Sequence, residues 1–158
     1  MANITPFLWF DGKAEEAAEF YCSIFEDSKV LDIARYSEAG PGAPGSVMTV
    51  SFRLRGQDFI ALNGGPDFTF NEAISFCADC ESQEQLDEIW GRLLEGGGQE
   101  VQCGWLKDRY GLSWQVVPAD LGDMLTNGTP EQRARVSTAV YGMVKLDIAA
   151  LRRAYEGS

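Results

Sequence analysis

Few side chains in this sequence are equipped for chemistry, and the four cysteines are the first to weigh. Cys77 and Cys80 spell C-x-x-C, but they lie in "AISFCADC", which alternates like a strand. A structural zinc needs four thiolate or imidazole donors. There is no second C-x-x-C and no histidine anywhere in the chain. The expectation is four buried or half-buried free thiols, Cys22 and Cys103 included. Cys103, in "CGWL", sits among strand-like segments, yet a nucleophilic thiol wants a base or cation beside it. Only Lys107 and Arg109 are near it in sequence. Two carboxylates, Asp67 and Glu72, flank an aromatic stretch and would serve as a general base if one were desolvated. The competing reading is an exposed pair.

The stretch "LKDRYGLSWQVVP", Leu106 to Pro118, is more specific. A polar turn from Lys107 to Gly111 feeds a strand that alternates Ser113 and Gln115 with Leu112, Trp114 and Val116. An amide at the centre of such a strand either bonds to a ligand, using its donor and acceptor together, or ties adjacent strands. Arg109 in the turn guards a pocket or caps nothing but the turn. The glycine runs point away from phosphate or dinucleotide binding. A phosphate cradle lies between a strand and a helix N-terminus, whereas Gly64-Gly65-Pro66 leads to Phe68 and Phe70, and Gly96–Gly98 follows a helix. A methyl donor such as S-adenosylmethionine is usually held by the same strand–glycine–helix order, which this chain reverses.

The elements that must position these residues can be read from periodicity. Ile4–Phe10 reads as a strand, Asp11-Gly12 as a turn, and "KAEEAAEFYCSIF" as a helix with apolar positions at helical spacing. Lys29–Tyr36, Val47–Leu54 and Asp58–Asn63 read as strands, the last two joined as a hairpin. The Gly/Pro-rich "SEAGPGAPGS" between them reads as a mobile loop. The plan then repeats: strand 73–79, helix 82–95 with Ser82 and Gln85 as a capping box, and short strands 99–103, 105–107 and 112–117. The tail is helical, with Pro130 in a first turn and a split near Lys145. The pattern is β-α-β-β-β twice, an α+β chain whose paired modules are expected to form one cupped mixed sheet, followed by C-terminal helices. Strand alternation places Phe7, Trp9, Ser51, Phe59, Asn63, Ser75 and Gln115 on the cup side. Apolar walls with a few convergent polar groups suit a small molecule.

The charge balance narrows the partners. Lys and Arg total 13 against 24 Asp and Glu, a formal net charge of -11. Such a surface repels phosphate backbones and anionic lipid, so nucleic acid and membrane are not expected partners. No basic segment followed by a long apolar run opens the sequence, and a cytoplasmic location is expected.

Three motifs in order, "FLWFDGKAEEAAEFYCSIF", "LNGGPDFTFNEAISF" and "CGWLKDRYGLSWQVVP", together resemble the PhnB-like branch of the vicinal-oxygen-chelate (glyoxalase and bleomycin-resistance) superfamily. The tail "RVSTAVYGMVKLDIAALRRAYEG" is similar too, and many such proteins carry the label 3-demethylubiquinone-9 3-methyltransferase. The resemblance implies a glyoxalase-like domain over 1–126, with modules 1–64 and 71–118, a helical extension over 127–158, and a homodimer. In metal-dependent members one side chain from the first and one from the last strand of each module meet at a divalent ion. Carried over, those positions are Thr5 or Pro6, about Ala61, about Ala73, and Gln115 at the usual carboxylate position. Oxygen-preferring divalent ions need several carboxylate, carbonyl or imidazole donors, so neither metal nor other cofactor is expected.

The function expected is binding of a small molecule by Gln115, Asn63 and Ser75 between Trp9, Phe59 and Trp105. The alternatives are an enzyme of the superfamily (lyase, isomerase or dioxygenase) with an atypical metal site or a pocket carboxylate, and a purely structural role if aromatics fill the cup. Methyl transfer is not expected.

Overall fold

Alternating strands and two amphipathic helices build the same arrangement twice in the computed structural model, which describes residues 2–158. The chain divides into two compact units, one ending at Phe70 and the other spanning Asn71–Ser158. The first contains β1 (Phe7–Phe10), α1 (Ala14–Ile24), β2 (Lys29–Arg35), β3 (Val47–Leu54) and β4 (Gln57–Asn63). Its sheet has the order β1-β4-β3-β2, with β1 parallel to β4 and the other pairs antiparallel. The second contains β5 (Ser75–Cys80), α2 (Gln83–Leu94), β6 (Gln99–Glu100), β7 (Trp105–Lys107) and β8 (Ser113–Pro118). Its order, β5-β8-β7-β6, repeats the first, again with one parallel pair. Three helices follow: α3 (Leu121–Asn127), α4 (Pro130–Tyr141) and α5 (Ile148–Glu156). The α+β class and the tandem βαβββ plan are as expected.

In the first unit α1 covers one face of the sheet. Ala14, Ala17, Ala18 and Tyr21, spaced at i, i+3, i+4 and i+7, are wholly buried. Tyr21 stacks on Phe52 at 6.3 Å between centroids, and Phe52 on Phe59 at 5.4 Å. Stacked pairs of this kind add about 1 kcal/mol each beyond their area burial. The start of α1 lacks a side-chain cap from its own residues. Asn63 supplies one from β4, its Oδ1 accepting the Ala14 N–H at 2.9 Å. The Gly/Pro-rich loop is tied down. Gly45 donates to the Tyr36 carbonyl, Tyr36 N–H donates to Ser46, and the Tyr36 ring lies so close to Gly42 that a Cβ there would meet it at 2.3 Å.

In the second unit Ser82 accepts the Gln85 N–H at 3.1 Å, while the Gln85 side chain accepts from Glu81 rather than from Ser82 itself. The expected reciprocal cap is thus shifted by one residue. The full capping box stands at α4, between Thr129 and Gln132, with Pro130 opening the helix. The strand expected over 99–103 ends at Glu100. Cys103 adopts φ +65°, and the N–H groups of Cys103 and Gly104 donate to Met143 and Val144. Those donors therefore go to the tail instead of a ladder. Helix α3 is an element that periodicity did not show. The tail docks on α2 through Gln83, whose side chain accepts from Ile148 N–H and donates to the Leu146 carbonyl. Among the described residues no helix is long and apolar enough to cross a membrane.

Candidate functional site

Each sheet has one face turned to its helix and one turned away, and register assigns every strand residue to one of them. In the first sheet Leu8, Phe10, Val50, Phe52, Phe59 and Ala61 pack toward α1. Phe7, Trp9, Ile60, Leu62 and Ser51 occupy the open face. Trp9 and Phe7 therefore lie where alternation put them. Phe59 and Asn63 do not, and the expectation that they line the open face is corrected. Phe59 is 7% exposed within the aromatic stack. Asn63 spends its oxygen on α1 and its amide N–H on the Val47 carbonyl at 3.1 Å. The strand QDFIALN places large apolar residues on both faces, so its parity has no internal signal.

Trp9 is fixed from below and from the side. Its indole N–H donates to the Gly65 carbonyl at 2.9 Å, and its ring lies against Gly64 closely enough that a Cβ there would meet it at 2.4 Å. Phe68 meets it edge-on at 4.8 Å, while Phe70 meets Phe10 at 5.3 Å. The two linker aromatics thus divide between the open face and the core.

The open face of the second sheet is polar. Ser75, Cys77, Ser113, Gln115, Trp105 and Lys107 share it, with Trp105 and Cys77 directly across from Gln115 on either side. The Gln115 amide N–H donates to Ser75 Oγ at 3.0 Å, tying β8 to β5. The amide thus ties adjacent strands, and its carbonyl oxygen has no hydrogen-bond partner among the described residues. Ser75, Trp105 and Gln115 are brought together; Trp9 lies on the open face of the other sheet.

Beneath this face Asp108 organises the turn that sequence spacing singled out. Its carboxylate accepts the Tyr110 and Leu112 N–H groups at 2.8 and 3.1 Å and the Trp114 indole N–H at 3.0 Å. Gly111 supplies the left-handed residue, φ +84°. Arg109 caps α2, donating to the Glu95 carbonyl at 3.0 Å. Sequence reasoning passed over Lys107, Ser113 and their neighbour Glu72 as a group. The signal was available in strand parity, since Lys107 and Ser113 are cross-strand partners.

The thiols remain free. Cys77 and Cys80 are three apart on a strand and so face opposite ways. Burial, and then the nearby Asp79 carboxylate, push the Cys77 thiol up; burial does the same to Cys22. Glu72 is held below the usual carboxylate range by the hydrogen bond from Lys107. Asp67 is exposed. Of the metal positions carried over, Ala61 is buried against the helix and Ala73 precedes β5. Neither offers a donor. Among the described residues no group of three or more His, Cys, Asp or Glu converges to hold a metal ion. An amide, two hydroxyls and a protonated thiol are a poor set for a divalent ion that prefers carboxylate oxygen or imidazole.

Residues 2–117 match the family model described as 3-demethylubiquinone-9 3-methyltransferase. The match stops before α3–α5. The PhnB protein from Bacillus cereus, whose description carries the same methyltransferase name, is 39% identical, over 73% of this chain and 99% of its own, with a TM-score of 0.66. A Pseudomonas aeruginosa protein shares the fold at 18% identity, over 75% of this chain and 97% of its own, with a TM-score of 0.60. So does an Arabidopsis thaliana gene product, at 15% identity, 75% and 98% coverage and a TM-score of 0.52. No curated protein sequence matches the chain. Repeated βαβββ units, the Asp-x-x-Gly turn before β8 and the family match agree, and the chain belongs to the PhnB-like 3-demethylubiquinone-9 3-methyltransferase family.

Proposed function

We propose that this chain is a metal-free small-molecule-binding protein, working as a homodimer in the cytoplasm, and that its ligand lies against the open face of the second sheet. The observation that carries the reading is Gln115. Its N–H group is anchored on Ser75, which fixes the side chain, and its carbonyl is left to accept from a ligand. Trp105 across the ladder supplies an apolar surface beside it. A fixed polar group next to an aromatic wall is the usual composition of a ligand site. The donor set described above supports binding without a divalent ion.

Catalysis has weaker support from these residues. Glu72 is engaged by Lys107 and Asp67 is exposed, so neither is desolvated as a general base requires. Methyl transfer, which the family description names, does not fit the glycines. Gly96 packs under Arg109, and a Cβ on Gly98 would meet the Lys107 carbonyl at 2.8 Å. These glycines close a helix-to-strand turn and do not cradle a methyl donor.

The test is a thermal-shift and calorimetric panel of small polar aromatics on the parent protein and on Gln115→Leu, with elemental analysis of protein purified without chelator. Ligands that lose affinity in Gln115→Leu, with substoichiometric metal, support the proposal. A stoichiometric divalent ion, or ligands indifferent to the substitution, would sink it.

A further inference from the structure

Ser113 opens β8 and sits in register between Lys107 on β7 and Ser75 on β5. All three share the open face with Gln115, two residues further along. The Ser113 side chain is 1% exposed, and its hydroxyl has no hydrogen-bond partner among the described residues. Buried polar groups are nearly always satisfied, and one that is not marks a place where a partner is missing.

Beside it, the Lys107 ammonium is engaged by the Glu72 carboxylate, which comes from the segment just before β5. Since β8 lies between β7 and β5, this bridge links the two sides of β8, and its lysine is the register partner of Ser113. The two side chains are 33% and 57% exposed. A pair that wet contributes little to folding and exchanges readily with solvent. It therefore has the character of an internal occupant more than of a structural tie.

We infer that the Lys107–Ser113 position is a carboxylate-binding subsite of the open face, in which Glu72 engages the ammonium but not the hydroxyl until a small organic acid displaces it. The inference rests on the ligand-binding reading of that face and names the ligand's chemistry. One ammonium and one neutral hydroxyl match a single negative charge. A dianion such as phosphate would meet one cation in a protein of net charge -11. Exchange of one carboxylate for another leaves the local charge unchanged. The ligand's body would then extend along the face toward Gln115 and Trp105, so a planar acid fits the row.

Benzoate and its neutral counterpart benzamide separate charge from shape. Each is titrated into 15N-labelled protein while the Gln115 side-chain amide and Ser113 backbone signals are followed. Benzoate is expected to move both signals and to bind about tenfold tighter than benzamide. Glu72→Gln, which removes the internal competitor, should tighten benzoate several-fold and leave benzamide unchanged. Lys107→Met should erase the preference. Ser113→Ala should weaken benzoate while leaving thermal stability unchanged or raised, because it deletes an unpartnered hydroxyl. Equal affinity for the two probes, or a benzoate affinity indifferent to Glu72→Gln, overturns the subsite. If both probes bind equally at Gln115, the subsite falls while the ligand-binding reading stands. If neither moves Gln115, the subsite also falls, and the broader reading is decided by its own panel.

Discussion

The carboxylate of Asp108 accepts the indole N–H of Trp114 at 3.0 Å, from a turn six residues earlier in the chain. The same carboxylate holds two backbone N–H groups of that turn, and it is 3% exposed. One buried charge thus sets the turn, the start of β8 and the rotamer of its largest side chain. Asp108→Ala removes the acceptor of three donors, two of them buried. We expect it to lower the unfolding free energy by about 3 kcal/mol, measured by urea denaturation. A loss under about 1 kcal/mol would mean that the turn is set by Gly111 and packing alone.

Gly64 lies flat against the Trp9 ring. Gly64→Ala forces the indole away and breaks its bond to Gly65, at an expected cost of about 2 kcal/mol. The readout is the Trp9 contribution to fluorescence, isolated by comparison with Trp9→Phe. An unshifted emission spectrum would show that the ring can yield without losing its place.

The tail is clasped by Gln83 through two hydrogen bonds at the start of α5. Gln83→Ala should cost about 2 kcal/mol and expose the segment around Lys145 to limited proteolysis. Unchanged cleavage would indicate that α4–α5 packing holds the tail unaided.

Three carboxylates are held low in the folded protein. Asp58 is lowered by hydrogen bonding to Arg53, Glu72 by Lys107, and Asp87 by Gln83 and Lys145. Each contributes a small, solvent-screened stability that is present above its unfolded value, near 3.8 for Asp and 4.5 for Glu, and that is lost as pH falls through the lower folded value. Stability should therefore decline with acidification through and below that range, and added salt should shrink the effect. Thermal melts of Asp58→Asn, Glu72→Gln and Asp87→Asn across this window should show a flatter decline than the parent.

Cys77 is exposed as a residue, yet burial of its sulfur and then the Asp79 charge push its thiol up. Alkylation at neutral pH, resolved by mass, should run slower than for free cysteine. Asp79→Asn should speed it modestly. A rate unaffected by Asp79→Asn would leave burial as the sole cause.

Local sequence determined the elements and their order. The apolar spacing of Ala14, Ala17, Ala18 and Tyr21, the Ser82 cap, the hairpin between β3 and β4 and the Asp108-x-x-Gly111 turn are short-range signals. Each is read from neighbours a few residues apart. Gln115 lies on the expected face because the start of its strand alternates small or polar with large residues, whereas Trp9 lies on the expected face of a strand, FLWF, that is apolar on both sides. The tertiary structure decided what depends on distant partners. Asn63 became a cap for α1, and Phe59 joined the aromatic stack, because α1 packs on one side of a strand that is apolar on both. The strand at 99 stops short because residues 143–144 take the backbone donors of Cys103 and Gly104. Ser113, Lys107 and Glu72 form a group only once three strands lie side by side, since parity gives a face while register alone gives a neighbour.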